Sequence, residues 1–154
     1  MSESRPLFTW ESLEGEYTTW VPLWNVDTFA LGVPPRAVWV DNFGTVYVDD
    51  TGGGIVVLNR AGANVVDLSR SFQLVVPCEV CSVSKKYMMT ENLITATIFH
   101  VYRRGVAIFQ RNVTADQPLV TAIRGFAFSA SGRYIAVIGM VGVAFRYVLL
   151  YEGR

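Results

Sequence analysis

Cysteine, histidine and lysine are scarce in this chain. Its 154 residues hold 2 cysteines, 1 histidine and two lysines against eleven arginines. A metal or redox centre therefore has few donors to draw on. Cys78-Glu79-Val80-Cys81 is the one paired arrangement, and residues i and i+3 of an extended strand point to opposite faces. At roughly 3.3 Å per residue their Cα atoms stand about 10 Å apart, beyond disulfide reach. Zinc needs further ligands, and His100 is the only nearby donor of the usual kind. The cysteines read as buried thiols, and neither a metal nor a cofactor is expected. His100, in Ile98-Phe99-His100-Val101-Tyr102, reads as a strand residue that packs or hydrogen-bonds rather than as a general base. No nucleophile elbow, Walker loop or dinucleotide fingerprint is present, and Gly52-Gly53-Gly54 lacks the lysine and helix of a phosphate loop. No catalytic residue is nominated, and the chain is expected not to be an enzyme.

Long apolar runs are lacking as well. The longest, Tyr134 to Phe145, is bounded by Arg133 and Arg146 and is too short for a membrane-spanning helix. The first residues, MSESRPLFTW, carry Glu3 before any apolar stretch and do not resemble a secretory signal. The expectation is a cytoplasmic protein with no membrane insertion. Charged residues make up only 17% of the chain and hydrophobic ones 51%, which excludes disorder and predicts a single domain with a substantial core.

Net charge is also absent, but only on average. Residues 1–77 carry nine Asp/Glu and four Lys/Arg, whereas residues 78–154 carry four and nine. Such a split fits head-to-tail contacts between copies, affinity of one face for anions, or neutralisation within one fold.

What is abundant is Val, Ile, Tyr, Phe and Thr in short alternating runs, punctuated by Gly, Asn, Asp and Ser, with no sustained 3.6-residue period. The chain is read as all-β. A recurrent pattern places two apolar residues at i and i+2, then a small polar residue, a turn and a second strand. It occurs at Val38-Trp39-Val40-Asp41, Cys81-Ser82-Val83-Ser84 and Phe126-Ala127-Phe128-Ser129, spaced by 43 and 45 residues, with the middle turn one residue shorter. A third strand follows in each unit, at Ile55–Leu58, Val106–Phe109 and Val148–Leu150. Periods of this length with about four strands each predict blade-like sheets.

The stretch Phe126-Ala127-Phe128-Ser129-Ala130-Ser131-Gly132-Arg133-Tyr134-Ile135-Ala136-Val137, followed by Val148-Leu149-Leu150-Tyr151-Glu152-Gly153, resembles the blade pattern of β-propellers of the WD-repeat and related classes. Neither a Trp-Asp dipeptide nor a Gly-His is present. The resemblance implies three four-stranded antiparallel sheets: an N-terminal aromatic arm over residues 1–34, then units over 35–72, 73–119 and 120–154. Because the last unit ends after its third strand, the arm around Thr18–Trp24 is expected to supply the fourth. Three blades are fewer than a propeller ring takes, so a half-propeller completed to six blades in a homodimer is expected, with a β-sandwich or barrel as the alternative.

The functional reading is a non-enzymatic interaction or assembly scaffold for a protein partner. A carbohydrate-binding module using the aromatic residues and a nucleic-acid binder using the Arg103–Arg124 region are the alternatives. The residues nominated for partner contact are Trp10, Trp20, Trp24, Tyr102, Arg103, Arg104 and Arg111. Ile135 and Val137 are nominated as the outward face that joins two copies. Asp41, Asp49 and Asp50 form the densest acidic group, and the turn reading, with Asp bonding its own backbone, is favoured over calcium.

Overall fold

The computed structural model describes residues 14–28, 35–50, 55–67, 81–82, 84–92 and 94–154. Eleven strands form in them, with one 3-10 turn at Val113–Ala115. The first sheet comprises β2 (Pro35–Val40), β3 (Val46–Asp50), β4 (Ile55–Leu58) and β5 (Asn64–Asp67), joined as an antiparallel meander. The second comprises β6 (Tyr87–Glu91), β7 (Ile98–Arg103) and β8 (Val106–Asn112), and a Cys81–Met88 bridge flanks β6. The third is ordered β1-β11-β10-β9, from β9 (Ala122–Phe128), β10 (Tyr134–Val141), β11 (Ala144–Gly153) and β1 (Trp20–Asp27). Its outer strand thus comes from the N-terminal segment. The architecture is all-β, three open blade-like antiparallel sheets.

The ladder hydrogen bonds correct the spacing of the units. Ser82 and Ser129 occupy the same place: each N–H donates to the carbonyl of a tyrosine five residues on, Tyr87 or Tyr134, at 2.9 Å. Each hydroxyl accepts from that tyrosine's N–H, at 3.1 and 3.0 Å. Asp41 does the same with Thr45, one residue sooner. The shorter turn is therefore in the first unit, not the middle one, and the unit spacings are 41 and 47 residues. Val106–Phe109 likewise proves to be the edge strand of its sheet, with β7 as the counterpart of β4 and β11.

Two cores separate the three sheets, and the third sheet lies between them. One face of it, with Phe128, Ile135, Val137, Leu149 and Tyr151, packs on Tyr87, Met89, Phe99 and Val101 of the second sheet. The other, with Ala127, Tyr134, Ala136, Ile138, Val148 and Leu150, packs on Val38, Val40, Val46, Val48, Val56 and Leu58 of the first. Period-2 alternation sends neighbouring residues to opposite faces, so β10 and the middle of β11 are apolar throughout because both faces are covered. Ile135 and Val137 are each 0% exposed. They are core residues of an inter-sheet layer and not an outward assembly surface.

A bulge lets β1 serve both cores. Trp20 pairs with Gly153 and Pro22 with Tyr151, but Trp24 pairs with Leu150, so Leu23 is an extra residue. Without it, the four-residue spacing would put both tryptophans on one face. With it, Trp20 enters the core against the second sheet, while Leu23 and Trp24 pack against the core shared with the first.

Candidate functional site

In an antiparallel meander alternate turns emerge on the same edge. One rim of the molecule accordingly gathers the β2–β3 and β4–β5 turns, the 82–87 turn, the β7–β8 and β9–β10 turns, and the end of β11 with residues 14–19 beside it. Backbone and side-chain bonds stitch these loops together. Asn42 accepts from the Ser131 N–H at 2.9 Å, the Gly15 N–H donates to the Ser131 carbonyl at 3.3 Å, and Tyr87 Oη donates to the Gly15 carbonyl at 2.9 Å. Finally the Arg104 N–H donates to the Lys86 carbonyl at 2.8 Å, locking two hairpin tips to each other.

A shallow basic depression of about 220 Å³ lies between those two tips, lined by Ser84, Lys85, Lys86 and Arg104. Both tips use a left-handed backbone. Gly44 and Gly132 supply it in the first and third units with φ of 82° and 79°, whereas the second unit has Lys85 there at 67°. The two-residue β7–β8 turn takes φ of 50° at Arg104 and 83° at Gly105, where Asn-Gly is the favoured pair. Beside the depression, Lys86 Nζ contacts Glu16 Oε1 at 2.5 Å and the Gly15 carbonyl at 3.2 Å, while Arg103 reaches Glu16 at 3.6 Å. The Lys86 ammonium holds the Glu16 carboxyl below the usual range, helped by Arg103 and Arg104. Glu14 is buried and spends its carboxylate inward, accepting from the Ser82 hydroxyl and the Ser84 N–H.

A second basic group sits on the same rim around Glu152, which is 2% exposed. Arg60, Arg133 and Tyr134 converge on its Oε2 at 2.5 to 3.1 Å, and Arg154 reaches Oε1 at 2.8 Å. Burial pushes this carboxyl up, but the hydrogen bonds from Arg60 and Tyr134 and the charges of Arg60 and Arg133 outweigh it and hold it below its ordinary value. Three half-exposed guanidiniums on one carboxylate leave a cationic surplus at the surface.

The nominated residues distribute unevenly over this geometry. Trp10 lies outside the described residues. Trp20 is 1% exposed, donates its indole N–H to the Gly132 carbonyl at 3.0 Å, and packs against Tyr17, Tyr87, Phe109 and Phe128. It staples β1 to the sheets and offers no ring to a partner. Trp24 is half-buried, with its indole N–H on the Arg60 carbonyl and its ring over Gly62. Tyr102 stands on the outer face of the second sheet. Arg103 and Arg104 flank the depression. Arg111 is at the opposite end of the β7–β8 hairpin, bonded to Asp116, which also accepts from Tyr151 Oη at 2.6 Å. It braces the core edge and does not join the other two arginines. Lys85, Lys86, Ser84 and Glu16 are the rim residues that the sequence reading passed over.

Asp41 Oδ1 accepts from the N–H groups of Phe43 and Thr45, each at 2.9 Å, as the turn reading requires. Asp49 pairs with Arg36. His100 Nε2 lies 3.1 Å from Asn92 Nδ2. Cys78 lies outside the described residues, and Cys81 is half-buried beside β6. Among the described residues no three His, Cys, Asp or Glu side chains cluster as a metal site, and no helix is long and apolar enough to cross a membrane.

No family model and no curated protein matches the chain. Among solved structures it is similar to BBS1N in a complex with ARL6DN, at 11% identity and a TM-score of 0.29, covering 78% of this chain and 37% of that one. It is also similar to the β-propeller domain of Cps50 (Swd1) from Myceliophteria thermophila, at 9% identity and a TM-score of 0.24, covering 69% and 49%. The chain thus spans less than half the length of either structure.

Proposed function

We propose that this chain is a non-enzymatic interaction scaffold, and that the first partner of its sheet faces is a second copy of itself. The observation that carries the reading is the outer face of the second sheet. Tyr87, Met89, Phe99 and Val101 point into the core, while their neighbours Met88, Thr90, His100 and Tyr102 point away from it. Met88 is 42% exposed there and stands directly across from Tyr102. Among the described residues the third sheet carries a neighbour on each face, and this one carries a neighbour on one face only.

Charge favours an unlike end as the occupant. Residues 35–67, which form the first sheet, hold four Asp and two Arg, whereas residues 81–112 hold five Lys/Arg and one Glu. An acidic end sheet of one copy meeting the basic end sheet of another gives a head-to-tail contact, and two such contacts close a dimer. Of the tryptophans a carbohydrate reading would use, Trp20 is buried and Trp24 is engaged with Arg60 and Gly62.

The test is mass in solution by light scattering. The wild-type chain is expected to run as a dimer that dissociates as salt rises. Met88→Arg is expected to give monomers with an unchanged melting temperature. A wild-type monomer at high concentration and low salt refutes the self-association reading.

A further inference from the structure

We propose that the depression between the 82–87 turn and the β7–β8 turn is a binding site for a single phosphate monoester carried on a protein segment. The first ground is unspent charge. Arg36, Arg60, Lys86, Arg103, Arg111, Arg133, Arg146 and Arg154 each hold a carboxylate. Lys85, Arg104 and Arg124 are the basic side chains without an ion pair among the described residues. Two of those three line one depression of about 220 Å³, together with Ser84 and Lys86.

The second ground is backbone conformation. Lys85 and Arg104 both occupy the left-handed region, at φ 67° and 50°, which a residue bearing a Cβ adopts at a cost. The first and third units place glycine where the second places Lys85. Local stability therefore argues for glycine or asparagine at these two tips, and the chain instead places there two cations that hold no ion pair among the described residues. The two tips are also held in fixed relation by the Arg104-to-Lys86 backbone bond. Ammonium, guanidinium and hydroxyl groups around a recess open to solvent are the donor set for a dianionic oxyanion.

The surroundings set the class of ligand. The depression is smaller than the ~300 Å³ and upward that take drug-sized molecules. Its neighbours are not a continuous cationic track: Glu16, with its side chain 76% exposed, stands beside it between Lys86 and Arg103. A run of backbone phosphates crossing the rim would have to pass that carboxylate, whereas a single phosphate needs only the Lys85 and Arg104 side of the depression. The site is on the rim and not on the sheet face discussed above, so each is tested by its own variants.

The experiment titrates the full chain, by calorimetry at fixed ionic strength, with a short phosphoserine peptide, its unphosphorylated twin and a short single-stranded DNA. The phosphorylated peptide is expected to bind at least about tenfold more tightly than either. The double variant Lys85→Gly/Arg104→Asn is expected to lose about tenfold or more in affinity for it, with a melting temperature equal to or above that of the wild type, because both replacements suit the left-handed backbone. Arg124→Gln, outside the depression, is expected to bind as the wild type does. Equal binding of the two peptides, undiminished binding by the double variant, or tighter binding of the DNA would each overturn the proposal.

Discussion

Trp20→Ala is the sharpest test of how β1 belongs to this fold. The side chain is 1% exposed, its ring touches Tyr17, Tyr87, Phe109 and Phe128 at centroid distances of 5.5 to 6.2 Å, and its N–H bonds the Gly132 carbonyl. Truncating a buried tryptophan to alanine costs about 3–5 kcal/mol in transfer and cavity terms. The lost hydrogen bond adds about 1 kcal/mol, and the cavity cannot collapse easily because Tyr87 and Phe128 are fixed on separate sheets. We expect a loss of ~5 kcal/mol, a large fraction of the 5–15 kcal/mol typical of a whole domain. With a urea m-value near 2 kcal/mol/M the unfolding midpoint falls by about 2.5 M. Far-UV circular dichroism is the suitable readout, since removing a tryptophan confounds fluorescence. Trp20→Phe keeps most of the ring contacts and is expected to lose only ~1–2 kcal/mol. A loss below about 1 kcal/mol for the alanine variant means that β1 is an appendage rather than the strand that completes the third sheet.

Two further outcomes follow from the rim. Glu152 has a depressed folded-state pKa, so its contribution is fully present above the ordinary glutamate value of 4.5 and is lost as pH falls through the folded value; urea midpoints measured across the acid range should decline there in the wild type and decline less steeply in Glu152→Gln. That variant is also expected to lose about 2 kcal/mol at neutral pH, less than a fully buried pair because its arginine partners are half-exposed. A Cβ at Gly132 would lie 2.6 Å from Tyr87 Cδ2 at φ 79°, whereas one at Gly105, at φ 83°, meets nothing within 4 Å. Gly105→Ala should therefore cost ~1 kcal/mol from backbone strain alone and Gly132→Ala ~2–3 kcal/mol; equal melting temperatures would show that the Tyr87 contact relaxes freely.

Strand alternation and turn residues made the sheets legible, because both are local. The small polar residue before each turn, Asp41, Ser82 or Ser129, marks the hairpin through bonds it makes to its own neighbours. Which face a strand buries was harder to read, and the signal that mattered was continuity. Tyr134-Ile135-Ala136-Val137-Ile138 is apolar at every position, the pattern of a strand covered on both sides, and it places Ile135 and Val137 inside. A one-residue bulge reverses facing without leaving a compositional trace, so the separation of Trp20 from Trp24 follows only from the register of β1 on β11. The rim sites depend on still longer connections: Glu16 with Lys86 and Arg60 with Glu152 are 70 and 92 residues apart. One clue was nevertheless local. Once Ser82 is aligned with Ser129, Lys85 falls where the third unit has Gly132, and a lysine in a glycine position is visible as a departure.

The order of the sheets in space follows from β1 and decides which faces the proposed self-association would use. Since β1 completes the last sheet and the chain then enters β2, the first sheet is laid against the last, and the last becomes the centre of the stack. Among the described residues the faces without a neighbouring sheet therefore belong to the first and second sheets, although the two are consecutive in sequence. A contact between unlike ends is heterologous, and a heterologous contact either closes on itself or propagates. Closure after two copies requires each stack to turn through half a circle, and a smaller or larger turn yields larger rings or filaments. Under the proposed self-association the mass found in solution would measure the angle between the two end sheets, and a variant that breaks one end is expected to abolish the whole assembly, since every contact would use both ends.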